Sequence, residues 1–173
     1  MGLSGAADDT VSRPEPLTAA HDLAAFSCGE PTLDDWLRRR ALANQISGTS
    51  RSYVLIGNSR VAGYYTLAAG AIAVVEAPGR VRRNSPDPIP MAVLGRLAID
   101  AAWQGRGFGH LLLRDAVLRT RQAAETIGIR GLLVHALSPA AKGFYQARGF
   151  VESPANPMTL MVTLADAIAA IDA

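Results

Sequence analysis

The sequence predicts an α+β protein built on a central mixed β-sheet that is flanked by helices. Three observations predict this class. Residues 91–99 form a nearly unbroken apolar run, as in a buried strand, and a glycine-rich turn and a helical pattern follow it. Two strand-like runs upstream are joined by a two-residue turn, which makes antiparallel neighbours. Strand and helix patterns alternate downstream, which favours parallel neighbours, so the sheet is expected to be mixed.

The composition is that of an ordinary globular domain. The chain has 173 residues, of which 49% are hydrophobic and 18% charged. We expect a flexible leader over residues 1–18 and a single domain over residues 19–173. No apolar run approaches the ~20 residues of a membrane span and no signal-peptide pattern is present, so the sequence predicts a cytoplasmic protein. The lone cysteine, Cys28, excludes an intrachain disulfide.

The first half of the chain predicts a helix and a hairpin. Residues 21–26 have the apolar content of a first strand or turn. A helix is predicted from Pro31, because proline suits the first helical position and acidic residues follow in the first turn. Its buried positions are expected to be Leu33, Trp36, Leu37 and Ala41. Strands are predicted over residues 51–57 and 60–67, joined at Asn58 and Ser59, with residues 70–75 continuing the second strand. Residues 75–90 are expected to be a loop, with one helical turn possible at 80–83.

The second half begins with the central strand over residues 91–99. The helix that follows the glycine turn is expected to end near Gly128. Residues 131–137 predict another buried strand. Ser138 and Pro139 supply an N-cap and a first-turn proline for a helix that runs through Arg148 and is closed by Gly149. Short strands are predicted at 150–151 and 159–164, and the apolar tail 165–173 could be helical.

The turn Gln104-Gly105-Arg106-Gly107-Phe108-Gly109 is the most informative stretch of the sequence. Glycine can adopt positive φ and lets a ligand approach the main chain. Amides at the start of a helix then favour a phosphate or pyrophosphate. The dinucleotide fingerprint G-x-G-x-x-G and the P-loop are both absent. The pattern Q/R-x-x-G-x-G/A instead resembles the acyl-coenzyme A loop of the GNAT acetyltransferases. The alternative is a flexible glycine-rich turn that binds nothing.

Five motifs resemble the GNAT acetyltransferases, and more narrowly the branch of toxins that acetylate aminoacyl-tRNA. They are FSCGEPTLDDWL, VAGYYTLAAGAI, LGRLAID, QGRGFGHLLL and AAKGFYQARGF, and the resemblance covers roughly residues 26–164. It implies the GNAT fold, acetyl-CoA as cofactor, aminoacyl-tRNA as substrate, a ribbon-helix-helix antitoxin as partner and a homodimer. One departure is Ser138, where many members carry Asn or Asp.

The resemblance also implies roles for individual residues. Residues on the central strand and in the turn would hold the coenzyme, together with two residues of the later helix: Leu97, Ala98, Ile99, Gln104, Arg106, Gly107, Gly109, His110, Ser138 and Phe144. Tyr145 would be the general acid for the leaving thiolate. The bland alternative is a core tyrosine whose hydroxyl bonds to the backbone.

Acid–base chemistry limits the mechanism. An unperturbed tyrosine has a pKa near ~10 and a thiol near ~8.5, so hydrogen bonding to the developing thiolate is favoured over early proton transfer. An α-amine, with a pKa near ~7.7–8.0, is partly neutral at cellular pH. The absence of an obvious Glu base in the central strand therefore weakly favours an α-amine acceptor.

Arginines are the candidate contacts to tRNA phosphate. The stretch from Trp36 to Arg83 contains eight arginines and a single acidic residue, Glu76. The candidates are Arg38, Arg39, Arg51, Arg80, Arg82, Arg83 and Arg96. A solubilising basic surface is the alternative, and Arg96 could instead pair internally with Asp100 or Asp115.

Three functions are compatible with these observations. The first is a toxin that acetylates aminoacyl-tRNA. The second is a GNAT enzyme for a small-molecule or peptide amine, and the third is a coenzyme-binding module without catalysis. No residue spacing supports an acyl-cysteine at Cys28 or a metal site, so direct transfer is expected.

Overall fold

The computed structural model describes residues 10–172. Its strands are hydrogen-bonded in the order β1-β2-β3-β4-β5-β7-β6. The strands are β1 (Glu15–Pro16), β2 (Arg51–Gly57), β3 (Arg60–Ile72), β4 (Ile89–Ile99), β5 (Gly131–His135), β6 (Val151–Glu152) and β7 (Thr159–Thr163). The helices are α1 (Pro31–Arg39), α2 (Ala41–Ser47), α3 (Gly79–Arg82), α4 (Phe108–Ala123), α5 (Pro139–Gln146) and α6 (Leu164–Ile171). β4 and β5 are parallel whereas β5 and β7 are antiparallel, so the predicted mixed sheet is confirmed.

Two compact units make up the described residues. One contains the chain up to Tyr65 together with Leu97–Leu112. Its core includes residues of α1, α2, β2, β3 and the end of β4, with Leu37 and Tyr64 fully buried. Tyr64 also donates its hydroxyl to the Leu33 carbonyl oxygen at 2.7 Å. Apolar burial and a satisfied polar tip therefore act together in this core.

The other unit contains Thr66–Arg96 and the chain from Leu113 onward. Val81 on α3, Met91 on β4 and Met161 on β7 form part of its core. β5 and β7 approach very closely at Gly131, where an added Cβ would lie 2.0 Å from the Val162 carbonyl oxygen. Only glycine fits this point of the ladder.

Several boundaries follow the sequence prediction. Asn58 and Ser59 both have positive φ, as a tight hairpin turn between β2 and β3 requires. The predicted helical turn near residues 80–83 is α3, and the apolar tail is α6. Ser138 caps α5 by accepting from the Ala141 amide, and Gly149, three residues beyond the last residue of the helix, has the positive φ of a terminating glycine, +91°.

Other expectations need correction. Residues 1–9 of the expected leader lie outside the described residues. In the remainder of the leader, Glu15 and Pro16 pair with β2 and Leu17 is buried, so residues 15–17 are part of the first unit. The first helix breaks at Arg40. Leu37 and Ala41 are buried as predicted, and Leu33 and Trp36 are half-buried and pack against the same core. Asp34 on this helix is buried as well. The helix after the glycine turn ends at Ala123, before Gly128. β5 and α5 each end two residues earlier than expected, at His135 and Gln146.

No helix within residues 10–172 is long and apolar enough to cross a membrane. Over the same residues, no group of three or more His, Cys, Asp or Glu side chains could hold a metal ion.

Candidate functional site

The segment before the glycine turn is held in place by packing and hydrogen bonds. Before it, Asp100 accepts from the amides of Ala102 and Ser27, at 2.9 and 3.0 Å. Trp103 is buried and packs so closely on Gly57 that a Cβ there would lie 2.5 Å from its ring. The turn therefore starts from a fixed point in the first unit.

Two of its glycines have the conformation that the sequence predicts. Gly105 and Gly107 have φ of +76° and +84°, and a Cβ on either would meet no atom within 4 Å. Backbone conformation, rather than lack of space, therefore favours glycine here. Gly109 differs from the prediction, because it lies in the first turn of α4 and does not need positive φ.

The start of α4 has the properties of an anion cradle. The first backbone bond of the helix is donated by the Leu111 amide to the Gly107 carbonyl oxygen, at 3.2 Å. Amides at the start of a helix point along its axis, where the helix dipole favours negative charge. Arg106 adds a cation beside the cradle, with its guanidinium 5.2 Å from the Trp103 ring centroid. An exposed glycine backbone, a helix N-terminus and an arginine together fit the diphosphate of a coenzyme.

The side chain of Gln104 fastens this turn to two other segments. Its amide nitrogen donates to the carbonyl oxygens of Cys28 and Ile99, at 2.7 and 2.9 Å. The side-chain amide of Gln104 is therefore already hydrogen-bonded within the protein. This is a structural role that sequence reasoning missed.

The C-terminal end of β4 extends past its pairing with β5. The parallel ladder joins residues 91–94 to residues 131–134, and β4 then continues to Ile99. Ala98 is buried, whereas Leu97 and Ile99 are half-buried. Main-chain groups beyond the end of a ladder can bind an extended ligand in place of a neighbouring strand.

Tyr145 on α5 is a buried phenol with an available hydroxyl. The residue is 7% exposed, and its ring packs edge-on against Phe144 and Phe150, at centroid distances of 5.2 and 5.3 Å. Its hydroxyl makes no hydrogen bond to any of residues 10–172. Burial raises the pKa of the phenol well above its ordinary value, so the group stays protonated and can act as a donor. The hydroxyl oxygen is not among the enclosed polar atoms of the described residues that lack a partner, so it is accessible at the surface and is a candidate for contact with a ligand.

The arginines that were predicted to bind RNA fall into two classes. Arg38 donates to the Phe26 carbonyl oxygen at 2.6 Å, Arg51 donates to that of Gln45 at 2.9 Å, and Arg80 forms a bidentate pair with Asp166. The others are placed differently: Arg39, Arg82 and Arg83 are exposed, and Arg96 is half-buried on β4. Arg38, Arg39 and Arg51 belong to the first unit, and the remaining four to the second.

Cys28 has the environment of an unreactive thiol. It is half-buried, and its Sγ donates to the Glu30 carbonyl oxygen at 3.5 Å. Burial, and then the nearby Asp34 carboxylate, raise the pKa of the thiol to about 11. The thiolate, which is the nucleophilic form, is therefore scarce at neutral pH.

Two further residues were not singled out by sequence reasoning. Asp34 is buried and accepts from the Cys28 amide at 2.9 Å, which fixes the segment that Gln104 also holds. Arg130 donates to three carbonyl oxygens of α3 and the residue that follows it. No local pattern marks either contact, although an arginine immediately before a buried strand is a weak signal.

Comparison with known proteins gives the family. The family model of the acetyltransferase (GNAT) domain matches residues 49–152. A "tRNA-acetylating toxin" of Mycobacterium tuberculosis is 52% identical over 160 residues, which cover 92% of this chain and 96% of that protein. A "probable toxin TacT" of Sinorhizobium fredii is 27% identical and covers 95% of this chain and 96% of its own length.

Solved structures resemble the chain over nearly its whole length. A tyrosine-to-phenylalanine mutant of KacT has a TM-score of 0.85 and 28% identity, covering 92% of this chain and 98% of its own. AtaT complexed with acetyl-methionyl-tRNAfMet has a TM-score of 0.83 and 32% identity, covering 90% and 96%. AtaTR bound with AcCoA has a TM-score of 0.81 and 32% identity, covering 93% and 98%. Together with the matched domain and the 52% identical relative, these likenesses show that the chain belongs to the GNAT acetyltransferases.

Proposed function

We propose that this chain is an acetyl-CoA-dependent N-acetyltransferase that acetylates the α-amino group of aminoacyl-tRNA and acts as the toxin of a toxin–antitoxin pair. The observation that carries the proposal is the 52% identity to a tRNA-acetylating toxin over nearly the full length of both chains. The likeness to AtaT in complex with acetyl-methionyl-tRNAfMet supports the same substrate class.

Acetyl-CoA binds, in this proposal, along the C-terminal end of β4 and the turn that follows it. Its diphosphate is held at the start of α4 by the main chain of Arg106, Gly107, Gly109 and His110. The main chain of Leu97, Ala98 and Ile99, beyond the β4–β5 ladder, binds the pantetheine arm. Gln104 fixes the turn. Ser138 and Phe144, at α5, are proposed by the family resemblance to contact the coenzyme. The bound coenzyme supplies an acetyl group that is activated as a thioester.

Tyr145 donates a hydrogen bond to the coenzyme sulfur as the C–S bond breaks. Its raised pKa keeps the phenol protonated, so it acts as an acid and not as a base. Because a thiol has a lower pKa than this phenol, complete transfer of the proton is uphill while the thiolate is forming. Stabilisation of the developing negative charge by the O–H group is therefore its main contribution.

The substrate amine reacts in its neutral form. An α-amino group has a pKa near ~7.7–8.0 and is partly neutral at cellular pH without a dedicated base. The nitrogen attacks the thioester carbonyl, a C–N bond forms, the C–S bond breaks, and the nitrogen loses a proton to solvent while the thiolate acquires one.

The tRNA contacts are proposed for the arginines of both units. Arg39, Arg82 and Arg83 are exposed and suited to phosphate. Arg51 and Arg96 are secondary candidates, whereas Arg38 and Arg80 already donate hydrogen bonds to the Phe26 carbonyl oxygen and the Asp166 carboxylate.

An antitoxin, a homodimer and a cytoplasmic location complete the proposal. AtaT has been solved with the C-terminus of its antitoxin AtaR, which supports an antitoxin for this chain. The resemblance to the toxin branch supports a ribbon-helix-helix type of antitoxin and a homodimeric toxin. A charged-tRNA substrate supports a cytoplasmic location.

The experiment is a transfer assay with labelled acetyl-CoA and bulk charged tRNA. We expect label in the aminoacyl end, recovered as N-acetyl-aminoacyl-adenosine after nuclease digestion, and none with deacylated tRNA. Labelling of small amines or peptides without labelling of charged tRNA would identify a different GNAT enzyme. Coenzyme binding without transfer to any amine would identify a non-catalytic module.

A further inference from the structure

Helix α3 is a single turn that carries a concentration of positive charge. It spans Gly79–Arg82 and contains Arg80 and Arg82, and Arg83 follows it directly. Only Val81 of this turn is buried. A four-residue helix has little stability of its own, so its position depends on what holds it.

Arg130 holds this turn from its C-terminal side. Its Nε donates to the Val81 carbonyl oxygen at 3.0 Å, and one terminal nitrogen donates to those of Arg80 and Arg83, at 2.8 and 3.3 Å. These carbonyls lie at the end of the helix, where intrahelical donors are lacking. The planar guanidinium thus acts as a C-terminal cap.

The main chain of Arg130 is itself fixed. Its amide donates to the Pro90 carbonyl oxygen at 2.8 Å, and its carbonyl oxygen accepts from the Leu164 amide at 3.0 Å. Arg130 therefore joins the start of β4, the start of α6 and the end of α3. With these fixed partners, Arg130 can set the position of α3 relative to the sheet.

A second anchor acts through Arg80. Its Nε and one terminal nitrogen donate to the Asp166 carboxylate, at 2.7 and 2.8 Å. Asp166 lies in the first turn of α6, where its amide donates to the Thr163 hydroxyl. Arg80 holds the pKa of Asp166 below its ordinary value, so the pair is ionised at neutral pH.

The remaining arginines are left available. Within the described part of the chain, the guanidinium groups of Arg82 and Arg83 take part in no hydrogen bond or ion pair. The arginines here therefore divide into two that hold α3 and two that extend from it.

We propose that Arg130 is a positioning residue for tRNA binding: it caps α3 so that Arg82 and Arg83 contact phosphate, while Arg130 and Arg80 themselves contact no RNA. This inference rests on the proposed function. It differs from a simple basic patch, in which every arginine adds its charge independently.

Arg130→Lys tests it, because lysine keeps the charge but cannot reproduce the fork that reaches three carbonyls. We expect the KM for charged tRNA to rise several-fold with little change in kcat or in the KM for acetyl-CoA. Arg82→Gln/Arg83→Gln should remove two phosphate contacts. The magnitude of the slope of log K for tRNA binding against log [salt] should then fall by about two. Arg130→Lys should lower it similarly, and the combined variant should show no additional loss. Arg121→Gln, on the exposed end of α4, is the control for lost charge.

Asp166→Asn tests the second anchor without removing any cation. It makes the protein more positive, so a simple basic patch predicts tighter binding of RNA. Positioning predicts the opposite, a higher KM for charged tRNA. This variant also covers the case in which Arg130→Lys folds poorly.

The outcomes separate the possibilities. Wild-type binding by Arg130→Lys, additive losses in the combined variant, or tighter binding by Asp166→Asn would each overturn the inference. Hydrogen exchange at residues 79–83 gives a readout without RNA, because loss of the cap should speed exchange there and not in α4. Unchanged exchange in Arg130→Lys would overturn the anchoring itself. Absence of tRNA acetylation by the wild type, with faster exchange in the variant, would instead reject the proposed function and its RNA role while leaving the cap in place.

Discussion

The side-chain nitrogen of Gln104 lies 2.7 Å from the carbonyl oxygen of Cys28. The same nitrogen lies 2.9 Å from the Ile99 carbonyl oxygen, so one amide joins the end of β4 to the segment before α1. The first residue of the glycine turn therefore acts as a brace, and the diphosphate is left to the backbone that follows.

Gln104→Glu should weaken acetyl-CoA binding more than it slows turnover. The substitution replaces an N–H₂ donor by a carboxylate that faces two carbonyl oxygens, which loses about 1 kcal/mol for each hydrogen bond. We expect the KM for acetyl-CoA to rise roughly tenfold or more, since about 1.4 kcal/mol corresponds to tenfold. Gln122→Glu, on the exposed end of α4, is the matched control. An unchanged KM would show that the brace is dispensable.

Tyr145→Phe should lower kcat by roughly 10²–10⁴-fold, the range for a positioned acid, with little change in the KM for acetyl-CoA. The melting temperature should hold, because the hydroxyl has no partner within residues 10–172.

Tyr64→Phe is the contrasting control. It removes the hydrogen bond to the Leu33 carbonyl oxygen and should cost about 1–3 kcal/mol of unfolding free energy while kcat is retained. Equal losses of kcat in the two variants would refute the assignment of Tyr145.

Gly107→Ala should raise the KM for acetyl-CoA by about tenfold. Its φ of +84° costs an L-residue roughly 1–2 kcal/mol, although the added methyl group itself meets no atom. Gly128→Ala also has open space but needs no positive φ, so it should behave as the wild type. A normal KM for Gly107→Ala would mean that the turn conformation does not matter for binding.

Cys28→Ala should keep full activity, and no acetylated enzyme should accumulate. With a pKa of about 11, only on the order of 0.1% of the thiol is ionised at pH 8. Iodoacetamide should therefore alkylate the native protein far more slowly than the unfolded chain. Mass spectrometry after mixing with acetyl-CoA checks the second point, and an acetyl group on Cys28 would contradict direct transfer.

The pH dependence of kcat/KM should rise through the pKa of the substrate α-amine, near ~7.7–8.0, and then stay level to about pH 10. Burial raises the pKa of Tyr145, and activity that needs its protonated form is lost only as pH rises through that elevated value. Tyr145→Phe should lower the whole profile and keep the ascending limb. A descending limb below pH ~9.5 in the wild type would show that the phenol titrates earlier.

Local patterns predicted the parts of the fold that local chemistry determines. The hairpin at Asn58 and Ser59 and the capping of α5 by Ser138 both follow from the residues at those positions. The break at Arg40 was missed because the apolar positions on both sides continue a helical spacing. Residues 10–18 were assigned to a leader because a two-residue edge strand has no pattern of its own.

The candidate site was predictable to the extent that its motif is contiguous. The glycine turn and Tyr145 lie within motifs, whereas the contacts that hold their surroundings join distant positions. Asp166 is 86 residues from Arg80, and Gln104 is 76 residues from Cys28. Such pairs leave no trace in local composition, so the side chains that carry charge could be identified but not which of them are already engaged.

The close approach of β5 and β7 affects how a genetic selection on this protein should be interpreted. Since a methyl group at Gly131 would collide with the Val162 carbonyl oxygen, any replacement there forces two strands apart. A screen for survivors will therefore recover changes at Gly131 alongside changes at Tyr145. Substitutions at Gly131 should lower the amount of protein in the cell extract. Substitutions at Tyr145 should leave the protein abundant but inactive.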